Sequence, residues 1–500
     1  MATMAPAPDV VPPIQGRERT IALWSLFLAF FMELLDATIV NVTLPSIERS
    51  LNASSGEQQW MVAAYGLALA IGLMTGARLG DIHGRKRLFV IGLTCFVLAS
   101  TFCGVAQNPE MLIVSRALQG FSSAMMIPQV LSSIQVMYRP SERGSAMAGF
   151  SALAGVASVS GPILGAVLTD ADLFGLGWRS IFLVNVPVGI FAVMMAIRLV
   201  PESFAPNRPT LDIPGVLMLA AGLLAILYPL MMGQEKDWPA WTFISMAIGL
   251  VILAGFVYLQ RREALAGGEP LVDLSLFNIR SYASGVFTIF VFFMAMAGYF
   301  LVQTIYMQEG LEFSILRAGL TMIPFSIGVS LFAGLSAAKL VGIMGRKVLQ
   351  LGPIVMGAGL LLTLFIFNRS GMDTSSWVLA PGLFVAGAGM GMVVAPIGIF
   401  VLSEVPVSKA GPASGLYNTL QQLAGAVGVA IIGTIFFNRI EHYFTENIAA
   451  IQTGTMAPDK PWTSSYAVTV WVMVAFMIAA SFAASLLPAH PEYDDSVMNH

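Results

Sequence analysis

The sequence predicts an all-α polytopic membrane protein with fourteen transmembrane helices, arranged as two six-helix bundles plus two inserted helices. Three observations predict it: a composition poor in charge, a ladder of long apolar runs, and a loop motif that occurs twice. Of 500 residues, 57% are hydrophobic and 11% charged, whereas soluble domains carry about 25% charged residues. Such a chain cannot cover a globular surface with polar groups, so its natural solvent is lipid. The formal net charge is −3, and the absence of a basic block or nucleic-acid motif excludes nucleic acid as a partner. Cys95 and Cys103 share one apolar run. Eight helical positions separate them by about 12 Å, too far for a disulfide.

Residues 1–19 form a Pro-rich polar tail without the apolar segment of a signal peptide. The run that follows therefore reads as an uncleaved first helix. A spanning helix needs about 20 apolar residues. Runs of that kind fall at 20–44, 57–79, 88–106, 110–137, 144–169, 179–199, 213–233, 240–260, 281–307, 314–340, 347–367, 376–402, 410–437 and 465–487. An even number of spans puts both termini on one side. With the N-terminus inside, 17 of the 25 Lys and Arg residues fall on inner segments and seven on outer ones, leaving Arg116 within a span. This obeys the positive-inside rule and predicts a multi-pass protein of the inner or plasma membrane with both termini cytoplasmic.

The halves follow from the repeated loop. Gly80-Asp81-Ile82-His83-Gly84-Arg85-Lys86-Arg87 follows the second span, and Gly342-Ile343-Met344-Gly345-Arg346-Lys347 follows the tenth. The offset is eight helices rather than six, so two helices were inserted between two six-helix halves. The expected division is an N-terminal tail (1–19), an N-terminal bundle (20–200), two inserted helices with linkers (201–262), a C-terminal bundle (263–488) and a C-terminal tail (489–500). Repeats of this kind commonly hold the ligand site between them.

Candidate functional residues are the polar groups at membrane depth. Glu33 and Asp36 lie three apart on the first span, hence on one helix face. A carboxylate there costs about 2.5–3.5 kcal/mol on insertion scales, which makes it a functional candidate. Two such acids do not both stay ionised cheaply, so either could take up a proton. Arg116 is the one basic residue deep in a span. Its guanidinium stays charged and needs an acid partner, for which Asp36 is the obvious choice. A static structural ion pair is the alternative reading. In the loop, Gly80 and Gly84 permit a tight turn. Asp81 is placed to cap the next helix or pair with a neighbouring Arg, and Arg85 and Lys86 anchor the inner face, together forming a conformational latch. Gly161, Pro162 and Gly165 make the fifth span a bent, closely packed hinge, although ordinary membrane packing uses the same residues. Asn41, Tyr299, Gln303, Asn418, Gln421 and Gln422 could line a cavity or bond between helices. No metal spacing, nucleotide loop or nucleophile triad is present, so no cofactor, metal or catalytic residue is expected.

These stretches together resemble the major facilitator superfamily, and within it the fourteen-helix drug:proton antiporters. The resemblance rests on Ala77–Arg87, on Leu35-Asp36-Ala37-Thr38-Ile39-Val40-Asn41 continuing to Pro45, on Ser115-Arg116-Ala117-Leu118-Gln119-Gly120, on Gly161-Pro162-Ile163-Leu164-Gly165, and on Trp178-Arg179 through Gly189. Ala77 and Ile82 depart from the loop signature, where Gly and a basic residue are usual. The resemblance implies the major facilitator fold and export of lipophilic, often cationic drugs in exchange for protons, with Asp36 as acceptor and Arg116 assisting. The expected partners are thus a small-molecule substrate, protons and the lipid bilayer; no segment names a protein partner. A proton-coupled carrier for one specific metabolite or siderophore is the alternative. A peptide symporter is disfavoured because its Glu-x-x-Glu-Arg signature is missing from the first span. A membrane sensor or scaffold is disfavoured because the tails are too short for an effector domain.

Overall fold

The computed structural model describes residues 14–204, 210–233, 236–268, 270–406, 409–452 and 460–490. Most of the two expected tails, and residues 205–209 of the linker after the sixth span, lie outside the described residues. The helical segments run α1 Gly16–Leu51, α2 Ser55–His83, α3 Arg85–Gly104, α4 Pro109–Met137, α5 Pro140–Asp170, α6 Gly177–Leu199, α7 Ile213–Met232, α8 Ala240–Leu265, α9 Arg280–Gly310, α10 Ile315–Met344, α11 Lys347–Asp373, α12 Ser376–Leu402, α13 Ala410–Gln452 and α14 Lys460–Ala484. Among the described residues, twelve of these are long and apolar enough to cross a membrane. The other two, α4 and α5, have 29 and 31 residues, ample for a bilayer at about 1.5 Å per residue. The chain is thus an all-helical, multi-pass membrane protein.

Local chemistry sets the helix starts. Ser54 accepts from the Glu57 N–H at 3.3 Å while the Glu57 carboxylate accepts from the Ser54 N–H at 2.7 Å, a reciprocal cap that opens α2. Asn108 caps α4 by accepting from the Met111 N–H at 2.8 Å, with Pro109 in the first turn. Asp212 caps α7 by accepting from the Gly215 N–H at 2.8 Å.

Packing repeats between α1–α6 and α9–α14. In the first set α1 packs on α5 and α6, α4 on α2 and α3, and α3 on α6; in the second, α9 packs on α13 and α14, α12 on α10 and α11, and α11 on α14. The two sets meet where α2 packs on α13 and α5 on α10, while α7 and α8 pack on one another and α7 leans against α2 and α13. The repeat extends to single atoms. A Cβ on Gly120 of α4 would stand 2.2 Å from the Tyr65 carbonyl oxygen of α2, and one on Gly387 of α12 would stand 2.0 Å from that of Phe325 in α10. In each set a glycine lets two helices touch backbone to backbone.

The α2–α3 turn is equally specific. Gly84 has φ +104°, and a Cβ there would lie 2.7 Å from the Glu202 carboxylate. Glu202, just past α6, accepts from the Lys86 N–H at 2.9 Å and the Arg87 N–H at 3.2 Å. It therefore satisfies orphan donors of the α3 N-terminus, where a negative charge is favoured. Asp81 does not cap α3; it accepts from Arg85 Nε at 3.1 Å and Nη2 at 2.9 Å. At the matching turn before α11, Gly345 also has positive φ, and the Ala489 carbonyl accepts from the Arg346 N–H at 2.9 Å. Replacing Glu202 by Ala should destabilise this turn by about 1–2 kcal/mol. Thermal unfolding in detergent should show a lowered midpoint that Glu202→Gln largely restores; an unchanged midpoint would contradict this role for Glu202.

Candidate functional site

Asp36 lies deep in α1 and is 1% exposed. Its carboxylate forms an ion pair with Arg116 of α4, which is also 1% exposed. It further accepts from Gln119 Nε2 at 2.8 Å and from Asn185 Nδ2 of α6 at 3.2 Å. The same two amides donate to Ser100 Oγ of α3, at 2.8 and 3.4 Å. Arg116 donates from Nε to the Met61 carbonyl of α2 at 3.2 Å and from Nη1 to Gln119 Oε1 at 2.7 Å. Its guanidinium carbon sits 4.4 Å above the Tyr65 ring, a favourable cation–π placement. Both charges are thereby held by hydrogen bonds, without which burying them would be prohibitive.

Glu33 is treated differently, although it sits one turn away. It accepts from the Tyr65 hydroxyl at 3.3 Å, and that hydroxyl is 3.0 Å from Ser123 Oγ. Glu33 also lines a central cavity of about 1080 Å³, whereas Asp36 lies behind the wall. The cavity runs between the two helix sets. Phe30 and Phe150, stacked with ring centroids 3.9 Å apart, form part of its apolar wall. Asn418, Gln421 and Gln422 of α13 face it from the other side. Its mouth is marked by Arg78, Asp81, Asp273 and Lys409, with Lys409 and Asp273 paired at 2.9 Å.

The opposite end is closed by contacts between the sets. Gln308 Nε2 donates to the Val42 carbonyl at 2.6 Å, and Thr434 Oγ1 donates to Gln59 Oε1 at 3.4 Å. Arg49 and Glu309 pair at 3.8 Å. The Gly161–Gly165 stretch lies beside this closure. A Cβ on Gly161 would stand 1.9 Å from Thr38 Oγ1, and one on Gly165 would stand 2.7 Å from Ile39 Cγ1. Pro162 bears on α10, where its carbonyl oxygen comes within 3.0 Å of a Cβ built on Gly319.

Of the six polar residues that could line a cavity or bond between helices, three do not line this cavity. Asn41 donates to the Thr38 carbonyl of its own helix at 3.4 Å. Tyr299 is 1% exposed and packs its ring on Phe325. Gln303 accepts from the Tyr466 hydroxyl at 2.5 Å in the core of the second set. Tyr299 and Gln303 turn toward neighbours in the same set rather than toward the cavity. Conversely Tyr65, Ser100 and Glu202 were not singled out from sequence, and Gln119 and Asn185 entered only within the stretches that carry the resemblance, without a role of their own. Gln119, one turn beyond Arg116, carried a readable signal; the others depend on tertiary packing. Among the described residues no cluster of His, Cys, Asp or Glu could hold a metal.

A sequence profile of the Major Facilitator Superfamily matches residues 26–429. The chain belongs to the major facilitator superfamily. Among curated members, it is 41% identical to a probable actinorhodin transporter of Streptomyces coelicolor, over 89% of this chain and 77% of that protein. It is 34% identical to the drug efflux pump JefA of Mycobacterium tuberculosis, over 93% of this chain and 88% of that protein. Among solved structures, an auto-inhibited POT family peptide transporter superposes with a TM-score of 0.67 at 14% identity, over 94% of this chain and 96% of the other. That likeness is one of fold.

The Gly161 contact makes a sharp prediction. Gly161→Ala should cost about 1–3 kcal/mol through overpacking against Thr38, and Thr38→Ala in the same background should recover part of the loss, because Thr38 Cβ would still stand 2.9 Å from the new methyl group. Thermal unfolding of the single and double variants checks it; equal loss in both would mean that the clash lies elsewhere.

Proposed function

We propose that this superfamily member is a proton-coupled antiporter of the cell membrane that exports lipophilic, cationic drugs or toxic compounds by alternating access. The observation that carries the reading is a roomy cavity between two like helix sets, closed at one end, with an acid on its wall and a buried acid–base pair behind it. The names of the curated relatives, an actinorhodin transporter and a drug efflux pump, support export as the direction. The fourteen helical segments are proposed to span the bilayer as two six-helix bundles, 20–200 and 263–488, with the inserted pair at 201–262. The repeating contact pattern and the peripheral seat of α7 and α8 support that division.

The cavity mouth is proposed to face the cytoplasm, with both termini on that side. Arg78, Arg85, Lys86, Arg87, Arg139, Arg143 and Lys409 cluster toward the mouth end, in keeping with the positive-inside rule. The structure then represents the inward-open state. Drug enters the cavity from the cytoplasm or inner leaflet, and a proton leaves the Glu33–Asp36 region. The halves rock about the Gly161–Gly165 stretch. The closed end opens, drug departs, and a proton returns from outside. A proton on Asp36 cancels its charge and weakens its hold on Arg116. The guanidinium keeps Met61, Gln119 and the Tyr65 ring as neutral partners, which lower the cost of its lost counter-ion, and the uncompensated charge that remains drives the rearrangement. The Asp81–Arg85 pair and the Glu202 cap brace the cytoplasmic turn during this motion.

Reconstitution in liposomes under an imposed pH gradient tests the reading. Addition of ethidium should trigger proton movement that empty liposomes lack. Asp36→Asn should abolish it while the protein remains folded in the membrane. Undiminished proton-driven export by that variant would remove Asp36 from the mechanism. Failure of the wild-type protein to respond to a panel of cationic and neutral drugs would overturn the antiport assignment.

A further inference from the structure

Tyr65 bridges Glu33 and the Asp36–Arg116 pair. Its hydroxyl donates to Glu33 on the cavity wall at 3.3 Å. Its ring lies beneath the Arg116 guanidinium at 4.4 Å. The side chain is 3% exposed, so it is held between the two by packing. Its hydroxyl has a second partner within reach, Ser123 Oγ at 3.0 Å. The charged and titratable groups facing it come from three helices: Glu33 and Asp36 from α1, Arg116 from α4, and Cys103 of α3 beyond Gln119.

The repeated architecture supplies a control inside the same molecule. Gly120 packs on the Tyr65 carbonyl as Gly387 packs on that of Phe325. The matching position of the second set is thus a phenylalanine, 3% exposed. The fold at this contact needs an aromatic ring and no hydroxyl. Position Arg116, four residues before Gly120, corresponds to Leu383, four before Gly387, which is fully buried. The hydroxyl is present in the set that holds the charges and missing from the set that does not.

We infer that Tyr65 is the positioning residue that couples events at Glu33 to the Asp36–Arg116 pair. In the proton-loaded state Asp36 carries the proton and the Tyr65 hydroxyl donates to the ionised Glu33. When a cationic substrate engages Glu33, the carboxylate becomes a poorer acceptor and the hydroxyl turns to Ser123. The ring beneath Arg116 shifts with it, the guanidinium closes on Asp36, and the Asp36 carboxyl gives up its proton, which is the proton released. Cavity occupancy thereby reaches a pair that the substrate itself does not touch. This inference rests on the antiport reading above and names the residue that links its two ends.

The test measures two quantities on purified protein in weakly buffered detergent solution: ethidium bound, by fluorescence, and protons released on ethidium addition. For Tyr65→Phe, the ratio of protons released to ethidium bound should fall about twofold or more, whatever happens to affinity. Ser123→Ala, which leaves the ring and the Glu33 bond in place but removes the alternative partner, should lower the same ratio. In a Glu33→Gln background the Tyr65→Phe effect should vanish, because residues of one network are non-additive. A Tyr65→Phe protein that binds ethidium more weakly but keeps the wild-type ratio would reduce Tyr65 to a packing role and overturn the inference. Additive effects of Tyr65→Phe and Glu33→Gln would overturn it too. In either case a wild-type protein that releases protons leaves the antiport reading standing. Ethidium binding without proton release by the wild-type protein would overturn both.

Discussion

The buried ion pair between Asp36 and Arg116 constrains the whole first helix set. A charge at membrane depth costs several kcal/mol unless a partner and hydrogen bonds are supplied. Here the supply comes from α2 through Met61 and Tyr65, from α3 through Ser100, from α4 through Gln119 and from α6 through Asn185. Five helices must therefore keep their mutual register to within hydrogen-bond tolerance. Gly120 makes this possible by bringing α4 onto the backbone of α2 one turn from Arg116. Without that approach, Arg116 could not reach the Met61 carbonyl and the Tyr65 ring together. Small residues beside the charges are thus a condition for burying them.

The second helix set shows what the same packing looks like without charge. Leu383 and Ala386 occupy the places of Arg116 and Gln119 and are fully buried. Near the closed end, Tyr306, Phe367 and Tyr466 form a ring cluster with centroids 4.5 to 5.1 Å apart. Such contacts give rigidity without a carboxylate or guanidinium. In the proposed cycle, proton chemistry is therefore one-sided. The first set changes its electrostatics, and the second offers a neutral wall of amides and apolar groups.

The outline of the fold was legible because lipid imposes a harsh rule on sequence. Apolar runs of sufficient length mark helices, and the expected spans 213–233, 347–367 and 376–402 begin at or within one residue of α7, α11 and α12. The Asp36–Arg116 partnership was legible for the same reason, since each charge had few possible partners at that depth. Helix facing was not legible. Tyr299 and Gln303 are as polar as Gln421 and Gln422, but which of them meets the cavity depends on how α9 and α13 cross their neighbours. Likewise Glu33 and Asp36 share a helix face, and only the position of Tyr65 and α4 shows that one reaches the cavity and the other does not. Glu202 was hidden because its partners, Lys86 and Arg87, offer backbone donors more than a hundred residues away.

The two ends of the molecule are built to different strengths, and this bears on how the halves can rock. Within each set, backbone-to-backbone helix contacts leave little freedom. Between the sets, the closed end carries, among the described residues, an amide-to-carbonyl contact, a hydroxyl-to-amide contact and a half-exposed ion pair at 3.8 Å. A typical hydrogen bond contributes about 0.5–1.5 kcal/mol net, and an exposed ion pair about 0–1 kcal/mol. The polar part of the closure is thus a few kcal/mol, comparable with what a ligand favouring one state by two or three orders of magnitude supplies. In the proposed cycle the apolar contacts of α5 with α10 and of α2 with α13 must give way, and at the first of these the facing residues are small, Ala166 and the Pro162 carbonyl against Gly319. Rigid sets joined by a weak closure are the arrangement in which neutralising one carboxylate, or loading one cavity, can tip the balance between two conformations.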